Sequence, residues 1–349
     1  MLVQTVNING TTRKQYDALL ASGWFRGTGV LYRSELVCMD AQIYSVQNIR
    51  LALEDLSLSK KHRRLLRRND DLFTITFGSP SVNDEKEELY RQQSKRFKAF
   101  VHSSLYEIIF NGFAYSEFET HELCVYHGSR LIAVSYFDTG DSALAGIMCL
   151  YDQAYAKSSL GIYTMLKEAE FAREKGLQYY YPGYVLDRPS SFDYKLTIGD
   201  CEWLGTDRSW YKKQDFGHTA SQADILREKM AELHIQLSLK GYETQMKLYP
   251  YFTVGYVLRN KPALLKLPCY FLFHDGDLEL GASYDLETSE FVVFTLETSP
   301  EDEYTQHLEL SDDYRNSDIY ELRIMRCGMM IPFPELGRIS GDILLQNEQ

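Results

Sequence analysis

Two short apolar runs on either side of one long amphipathic run, between Ala145 and Leu186, constrain this chain more than any other stretch. Ala145-Gly146-Ile147-Met148-Cys149-Leu150-Tyr151 has the length of a buried strand and is bounded by polar residues. Leu160, Tyr163, Met165, Leu166, Ala169 and Ala172 then recur at helical spacing, which predicts an amphipathic helix over 160–175. Ser159 is placed to cap its start and Gly176 its end. The run Gln178-Tyr179-Tyr180-Tyr181-Pro182-Gly183-Tyr184-Val185-Leu186 reads as a second strand. A helix that opens where a strand ends presents unpaired N–H groups, a site for an anion or a carbonyl oxygen, and Lys157 adds charge there. Any strand-helix-strand unit needs such a turn, so the pattern alone specifies a fold and not an activity.

At 349 residues the chain has the length for two or three domains. Its 26 tyrosines suit sheet packing, and some suit stacking on bases. Six cysteines at 38, 124, 149, 201, 269 and 327 include no close pair, which argues against a disulfide framework or a CxxC metal site. The first six residues lack the basic start and long apolar core of a signal peptide, and no run has transmembrane length. The expectation is a cytoplasmic protein without a membrane partner.

A net charge of −12 speaks at first against a nucleic-acid partner, but it is unevenly placed. From Pro268 onward 18 Asp and Glu stand against four Arg and no Lys, which leaves the rest of the chain slightly positive. Lys60 to Arg68 holds six Lys or Arg in nine residues. Cations packed this closely repel one another, so either solvent surrounds them or a partner neutralises them, and phosphates are the usual partner.

The wording of these segments resembles the aminoacyl-tRNA protein transferases, the arginyl and leucyl enzymes that act on N-terminal residues. In the central unit the resemblance runs through Leu131 to Val134, Tyr151-Asp152, Ser159-Leu160-Gly161, Leu166-Lys167-Glu168, Gly176-Leu177, Gly183-Tyr184 and Tyr194-Lys195. Before it, Gly23-Trp24, Arg26, Tyr32-Arg33, Ile49-Arg50, Ser59, Arg63-Arg64 and Arg67-Arg68-Asn69 match the family's N-terminal domain. The resemblance implies a GNAT-like acyltransferase domain within an α+β protein, with a small α/β domain in front. The expected boundaries are 1–105 for the N-terminal domain with the basic run, 106–240 for the catalytic domain, and 241–349 for an acidic β-rich extension. Within that extension 251–257, 269–273 and 291–296 read as strands, whereas 221–241 reads as a helix and 84–110 as a helical connection.

The resemblance also implies the chemistry. The donor is aminoacyl-tRNA, with no further cofactor, and the acceptor is a protein's N-terminal amine, expected behind an acidic residue. Backbone N–H groups of Leu160 and Gly161 are the candidate oxyanion donors, with Tyr184 and Tyr194 near the leaving ribose oxygen. Arg63, Arg64, Arg67, Arg68, Lys157, Ser159 and Lys195 are the candidate tRNA and substrate contacts. Asp138, Asp141, His121, His127 and Glu170 are further candidates for acid-base work in the same region.

Two departures stand out. The family's cysteine cluster is reduced to Cys38, too few thiolates for a zinc or iron-sulfur site, so no metal is expected. The Cys and basic residue that follow Gly183-Tyr184 in the family are absent, Phe192 replaces Met, and Arg188 stands at a shifted position. A GNAT enzyme using an acyl-CoA and a noncatalytic tRNA-binding adaptor are the other readings; dependence on charged tRNA and product formation separate them.

Overall fold

A computed structural model of the chain describes residues 1–7, 10–98, 100–113, 116, 118–213, 220–257, 263–299 and 308–335. It is a mixed α+β structure. The chain begins with β1 (Val3–Asn7), α1 (Arg13–Ala21), β2 (Phe25–Arg26), β3 (Val30–Ser34), β4 (Leu36–Met39) and β5 (Gln42–Ala52). Then come α2 (Lys60–Leu72), β6 (Thr74–Gly78), α3 (Asp84–Ser94), β7 (Phe100–His102) and α4 (Leu105–Phe110). The middle holds β8 (Thr120–His127), β9 (Arg130–Thr139), β10 (Ala143–Tyr151), α5 (Leu160–Glu174), β11 (Tyr179–Tyr181) and β12 (Tyr184–Leu186). After β13 (Glu202–Leu204), β14 (Trp210–Lys212) and α6 (Gln222–Leu239) follow β15 (Gln245–Leu248), α7 (Phe252–Val257) and β16 (Cys269–Asp275). The last elements are β17 (Leu278–Asp285), β18 (Glu290–Thr298), β19 (Leu308–Leu310), α8 (Asp312–Arg315) and β20 (Met325–Pro332).

Local chemistry sets several of these bounds. Thr12 and Gln15 form a reciprocal capping box at α1, and Ser221 with Asp224 does the same at α6. Ser59 accepts from the His62 N–H to start α2. Gly176, at φ +72°, lets the Leu177 N–H turn back onto the Ala172 carbonyl at 2.9 Å and ends α5.

The main sheet has ten strands, in the order β14-β13-β5-β11-β10-β9-β8-β6, with β4 and β12 also paired to β5. The eleven-residue β5 is its spine, and it comes from the first hundred residues. Alternation along β8 and β9 divides two cores. Leu123, Val125, Ala133 and Phe137 face α2 and α5, whereas Cys124, Val134 and Tyr136 face α3 and α4. A separate five-stranded sheet, β15-β16-β17-β18-β20, packs with α6 around a core that also takes in Leu2, Val3, Leu36 and Cys38.

Three sequence expectations are corrected. Residues 251–257 form the helix α7, because Phe252, Gly255 and Tyr256 bury at helical spacing where the apolar alternation suggested a strand. The 84–110 connection is interrupted by β7, which pairs with β19 while Phe100 packs on Tyr251 and Tyr314, ring centroids 4.9 and 5.5 Å away. The strand over 178–186 is two strands, β11 and β12, broken at Pro182-Gly183.

Candidate functional site

The break at Pro182-Gly183 opens the site. β11 runs parallel to β10 for three residue pairs only, ending at Ala145↔Tyr181. Pro182 has no N–H to give, and Gly183 turns at φ +99°, where a side chain is strained. The pairing with β10 therefore ends, while the chain, already paired with Ala52 and Leu51 of β5 through β11, stays on β5 as β12 beside Asn48, Gln47 and Val46. On the other side β10 bulges between Gly146 and Met148. Two cavities occupy the divergence. One, of about 770 Å³, is lined among others by Ser159, Leu160, Gly161, Tyr184, Phe192 and Tyr194. The other, of about 130 Å³, is lined among others by Arg26, Asn48, Gly146, Tyr184 and Lys195. Tyr184 belongs to both walls.

The turn into α5 differs from the expectation. Ser159 sits in the left-handed region, φ 50° and ψ 47°, and its hydroxyl makes no cap hydrogen bond. Its carbonyl accepts from the Tyr163 N–H at 2.9 Å. What holds the turn is α2: fully buried Asn69 donates through Nδ2 to the Ser158 carbonyl at 2.8 Å. Arg68 reaches the Lys157 carbonyl at 3.5 Å, and Asp70 accepts from Tyr163 Oη at 2.7 Å and from Lys167 Nζ at 3.0 Å. His62, Leu66 and Asn69 form the buried side of α2, so Arg63, Arg64, Arg67 and Arg68 point to solvent. The basic run and the helix start, ninety residues apart in the chain, thus stand side by side with exposed Lys157 at their junction.

Of the expected site residues, Ser159, Leu160, Gly161, Tyr184 and Tyr194 meet in the large cavity, and Lys195 and Tyr184 in the small one. The four arginines and Lys157 line neither and form an exposed flank. Lys195 Nζ donates to the Tyr184 carbonyl at 3.0 Å and lies 5.2 and 4.9 Å from the Tyr184 and Phe192 ring centres. Burial lowers its ammonium to about 8. Tyr184 is clamped by Phe25 and Phe192, and burial raises its phenol above the usual range. Tyr194 is 43% exposed as a residue, but burial of its hydroxyl, followed by Cys149 and Glu168, raises the phenol to about 12.

The remaining titratable candidates serve structure. Asp138 is wholly buried and accepts from Arg26 Nη1 at 2.8 Å, Thr120 Oγ1 at 2.6 Å and Tyr16 Oη at 3.2 Å. Asp141 pairs with Arg13, Glu170 with Lys167, His121 contacts Thr139 Oγ1 and His127 contacts Tyr155 Oη.

Glu168 escaped the sequence reading as a titratable group. It is 1% exposed and accepts from Ser135 Oγ at 2.5 Å and Tyr180 Oη at 2.7 Å. Burial raises its carboxyl to about 7. Gly146 gives it room, since a Cβ there would lie 3.3 Å from Glu168 Oε2. The signal was an acid on the Thr164-Glu168-Ala172 stripe, all three buried. Cys38 is a buried thiol, raised by its burial, and no group of three or more His, Cys, Asp or Glu placed to hold a metal ion occurs among the described residues. Nor is any described helix long and apolar enough to cross a membrane.

Residues 80–205 match the family model "Arginine-tRNA-protein transferase, C terminus". An aspartate/glutamate leucyltransferase of Leptospira interrogans is 28% identical over 204 residues, 56% of this chain and 77% of the relative. One from Campylobacter jejuni is 25% identical over 196 residues, 54% of this chain and 79% of the relative. A solved structure of FemX overlaps 57% of this chain and 68% of its own at 10% identity and a TM-score of 0.34, too low to assign a fold.

Proposed function

We infer that this chain, whose residues 80–205 belong to the arginine-tRNA-protein transferase C-terminal family, moves an aminoacyl group from charged tRNA to the N-terminal amine of an acceptor protein. The observation that carries the reading is the pair of cavities meeting at Tyr184, one large and one small, where that domain meets the first fifty residues, beside a helix of exposed arginines. A GNAT-type fold goes with it, supported by the parallel β10–β11 pair that parts after three residues and the helix α5 between them. A cytoplasmic setting goes with a tRNA donor.

In this reading the large cavity takes the aminoacylated 3′ end. The amine nitrogen attacks the ester carbonyl, the new C–N bond forms, the bond to the ribose oxygen breaks, and the amine's proton leaves with that oxygen. The ester is already activated and an α-amine titrates near about 8, so no strong base is required. Leu160 and Gly161, at the first turn of α5, direct unpaired N–H groups at the carbonyl oxygen, and one such donor is worth roughly a hundredfold in rate. Tyr194, whose hydroxyl keeps its proton, donates to the ribose oxygen, and Tyr184 walls the junction. Ser159 shapes the entry through its left-handed backbone. Arg63, Arg64, Arg67, Arg68 and Lys157 contact tRNA phosphates. The names of the relatives support acceptors that begin with Asp or Glu.

The test is transfer of labelled leucine or arginine from charged tRNA onto peptides that begin with Asp, Glu or Ala. Product with one donor identifies the amino acid; no product with either donor overturns the reading.

A further inference from the structure

We propose that Asp313, Tyr314 and Tyr320 of the C-terminal extension are positioning residues for the donor, fixing one wall of the large cavity from outside the matched residues 80–205. The proposal rests on the transferase reading and adds to that site a part the family model does not cover.

The wall in question comes from two segments. Met39, the last residue of β4, lines the large cavity, and so do Lys98 and Phe100 on either side of the entry to β7. Asp40 and Ala41 make the two-residue turn from β4 to β5, since Met39 pairs directly with Gln42. Both take positive φ, 50° and 53°. Hairpin turns that need this at both positions usually use Asn-Gly or Gly-Gly, and alanine adopts it only at a cost. Such a turn persists where its surroundings hold it.

The surroundings are the extension. Asp313 Oδ2 accepts from the Asp40 N–H at 2.9 Å. The Ala41 N–H donates to Tyr320 Oη at 2.6 Å, and Tyr320 Oη donates to the same Asp313 Oδ2 at 3.1 Å, which closes a ring around the two strained residues. Tyr314 Oη donates to the Cys38 carbonyl at 2.6 Å, one residue before Met39. Both tyrosines are buried, with ring centroids 4.8 Å apart.

The second segment is tied to the same point. Leu310 of β19 pairs with Phe100 of β7, and the Phe100 ring packs on that of Tyr314. Asp40, whose N–H Asp313 holds, takes Lys98 Nζ on its carboxylate at 2.5 Å. Hairpin tip, β7 and extension thus meet around Asp40 and Tyr314, and what meets there faces the large cavity through Met39, Lys98 and Phe100. Misplacing a bound reactant by about 1 Å can cost roughly a hundredfold in rate, so a wall held this way matters to the ester lying against it. Among the described residues, the wall of the small cavity includes none of these three, which directs the effect to the donor.

The experiment is steady-state transfer by the full chain with the charged tRNA that the wild type uses, varying tRNA and acceptor peptide separately. Tyr314→Phe and Tyr320→Phe each keep the ring and lose one hydroxyl. Each should raise the KM for charged tRNA about fivefold and leave the KM for the peptide within about twofold. Ser283→Ala removes a 2.6 Å hydroxyl bond to the Cys269 carbonyl in the same extension without touching the hairpin, and should leave both KM values within about twofold. Amide exchange at Ala41, whose N–H loses its acceptor in Tyr320→Phe, should quicken about tenfold. If a tyrosine variant does not fold, near-isosteric Asp313→Asn supplies the same comparison. Equal rises in the two KM values, the same donor effect in Ser283→Ala, or quickened exchange with an unmoved donor KM overturns the proposal. Wild-type transfer with an unmoved donor KM in the variants removes the positioning role and keeps the transferase; no wild-type transfer from either charged tRNA removes the transferase reading itself and the proposal with it.

Discussion

Glu168 makes the stability of this protein depend on pH in a direction opposite to that of most carboxylates. It sits on α5 between Ser135 of β9 and Tyr180 of β11, 1% exposed, with no cation paired to it among the described residues. Burial raises its carboxyl to about 7 from an ordinary 4.5, and the hydrogen bonds from Ser135 and Tyr180, which favour the ionised form, recover only part of that. At 1.36 kcal/mol per tenfold the gap is worth about 3 kcal/mol. Below pH 4.5 the group is protonated in both the folded and the unfolded chain and costs nothing. Between 4.5 and 7 the folded chain holds the proton that the unfolded chain releases, so stability falls as pH rises. Above about 7 the full penalty is present. Glu168→Gln removes the titration and keeps the volume. Urea unfolding of both proteins from pH 5 to pH 8.5 should show wild type losing about 2–3 kcal/mol relative to the variant. A difference that stays constant with pH, or one in which wild type gains, would show that the buried acid is not what titrates.

The remaining predictions concern the basic flank. Arg63→Ala with Arg64→Ala should weaken tRNA binding and lower the slope of log affinity against log salt by about one to two phosphate contacts, whereas an unchanged slope makes these arginines a solvated surface. Asn69→Ala removes the bond to the Ser158 carbonyl from a fully buried site, at about 1–2 kcal/mol in urea unfolding, and should lower tRNA affinity although Asn69 faces away from solvent. Loss of stability with tRNA affinity intact would mean that the arginines act independently of their docking on α5.

The elements most legible in the sequence were those with a period and a stop. Helix α5 runs over Leu160–Glu174 because its apolar positions recur at 3.6 and Gly176 ends it. Adjacency across the chain was not legible. Nothing in residues 60–69 says that Asn69 reaches Ser158, because the contact depends on how α2 lies against α5. Arg26 and Asn48 read as ordinary polar residues of strands; their unpartnered atoms arise only when β2, β5 and β10 come together. At α7 the sequence pattern misled, since Tyr251 to Val257 satisfies strand alternation and helical spacing alike, and so short a run cannot choose between them without its neighbours.

The misread break at Pro182-Gly183 is the one that borders both cavities. Had residues 178–186 continued as a single strand beside β10, the ladder would have closed and neither cavity would exist at Tyr184. Pro182 withholds the N–H that the next rung would use, and Gly183 takes a backbone angle that costs other residues strain. The long β5 holds the chain on both sides of the break, through Leu51 and Ala52 before it and Val46, Gln47 and Asn48 after it, which places Asn48 at the wall of the small pocket and Tyr184 at the wall of both. A proline and a glycine within an apolar run thus convert a sheet position that would be filled by packing into one that lines a cavity. The same turn sets the direction of the segment that delivers Tyr194 to the large cavity and its neighbour Lys195 to the small one, so the walls of both cavities are built from adjacent residues and move together if that segment moves.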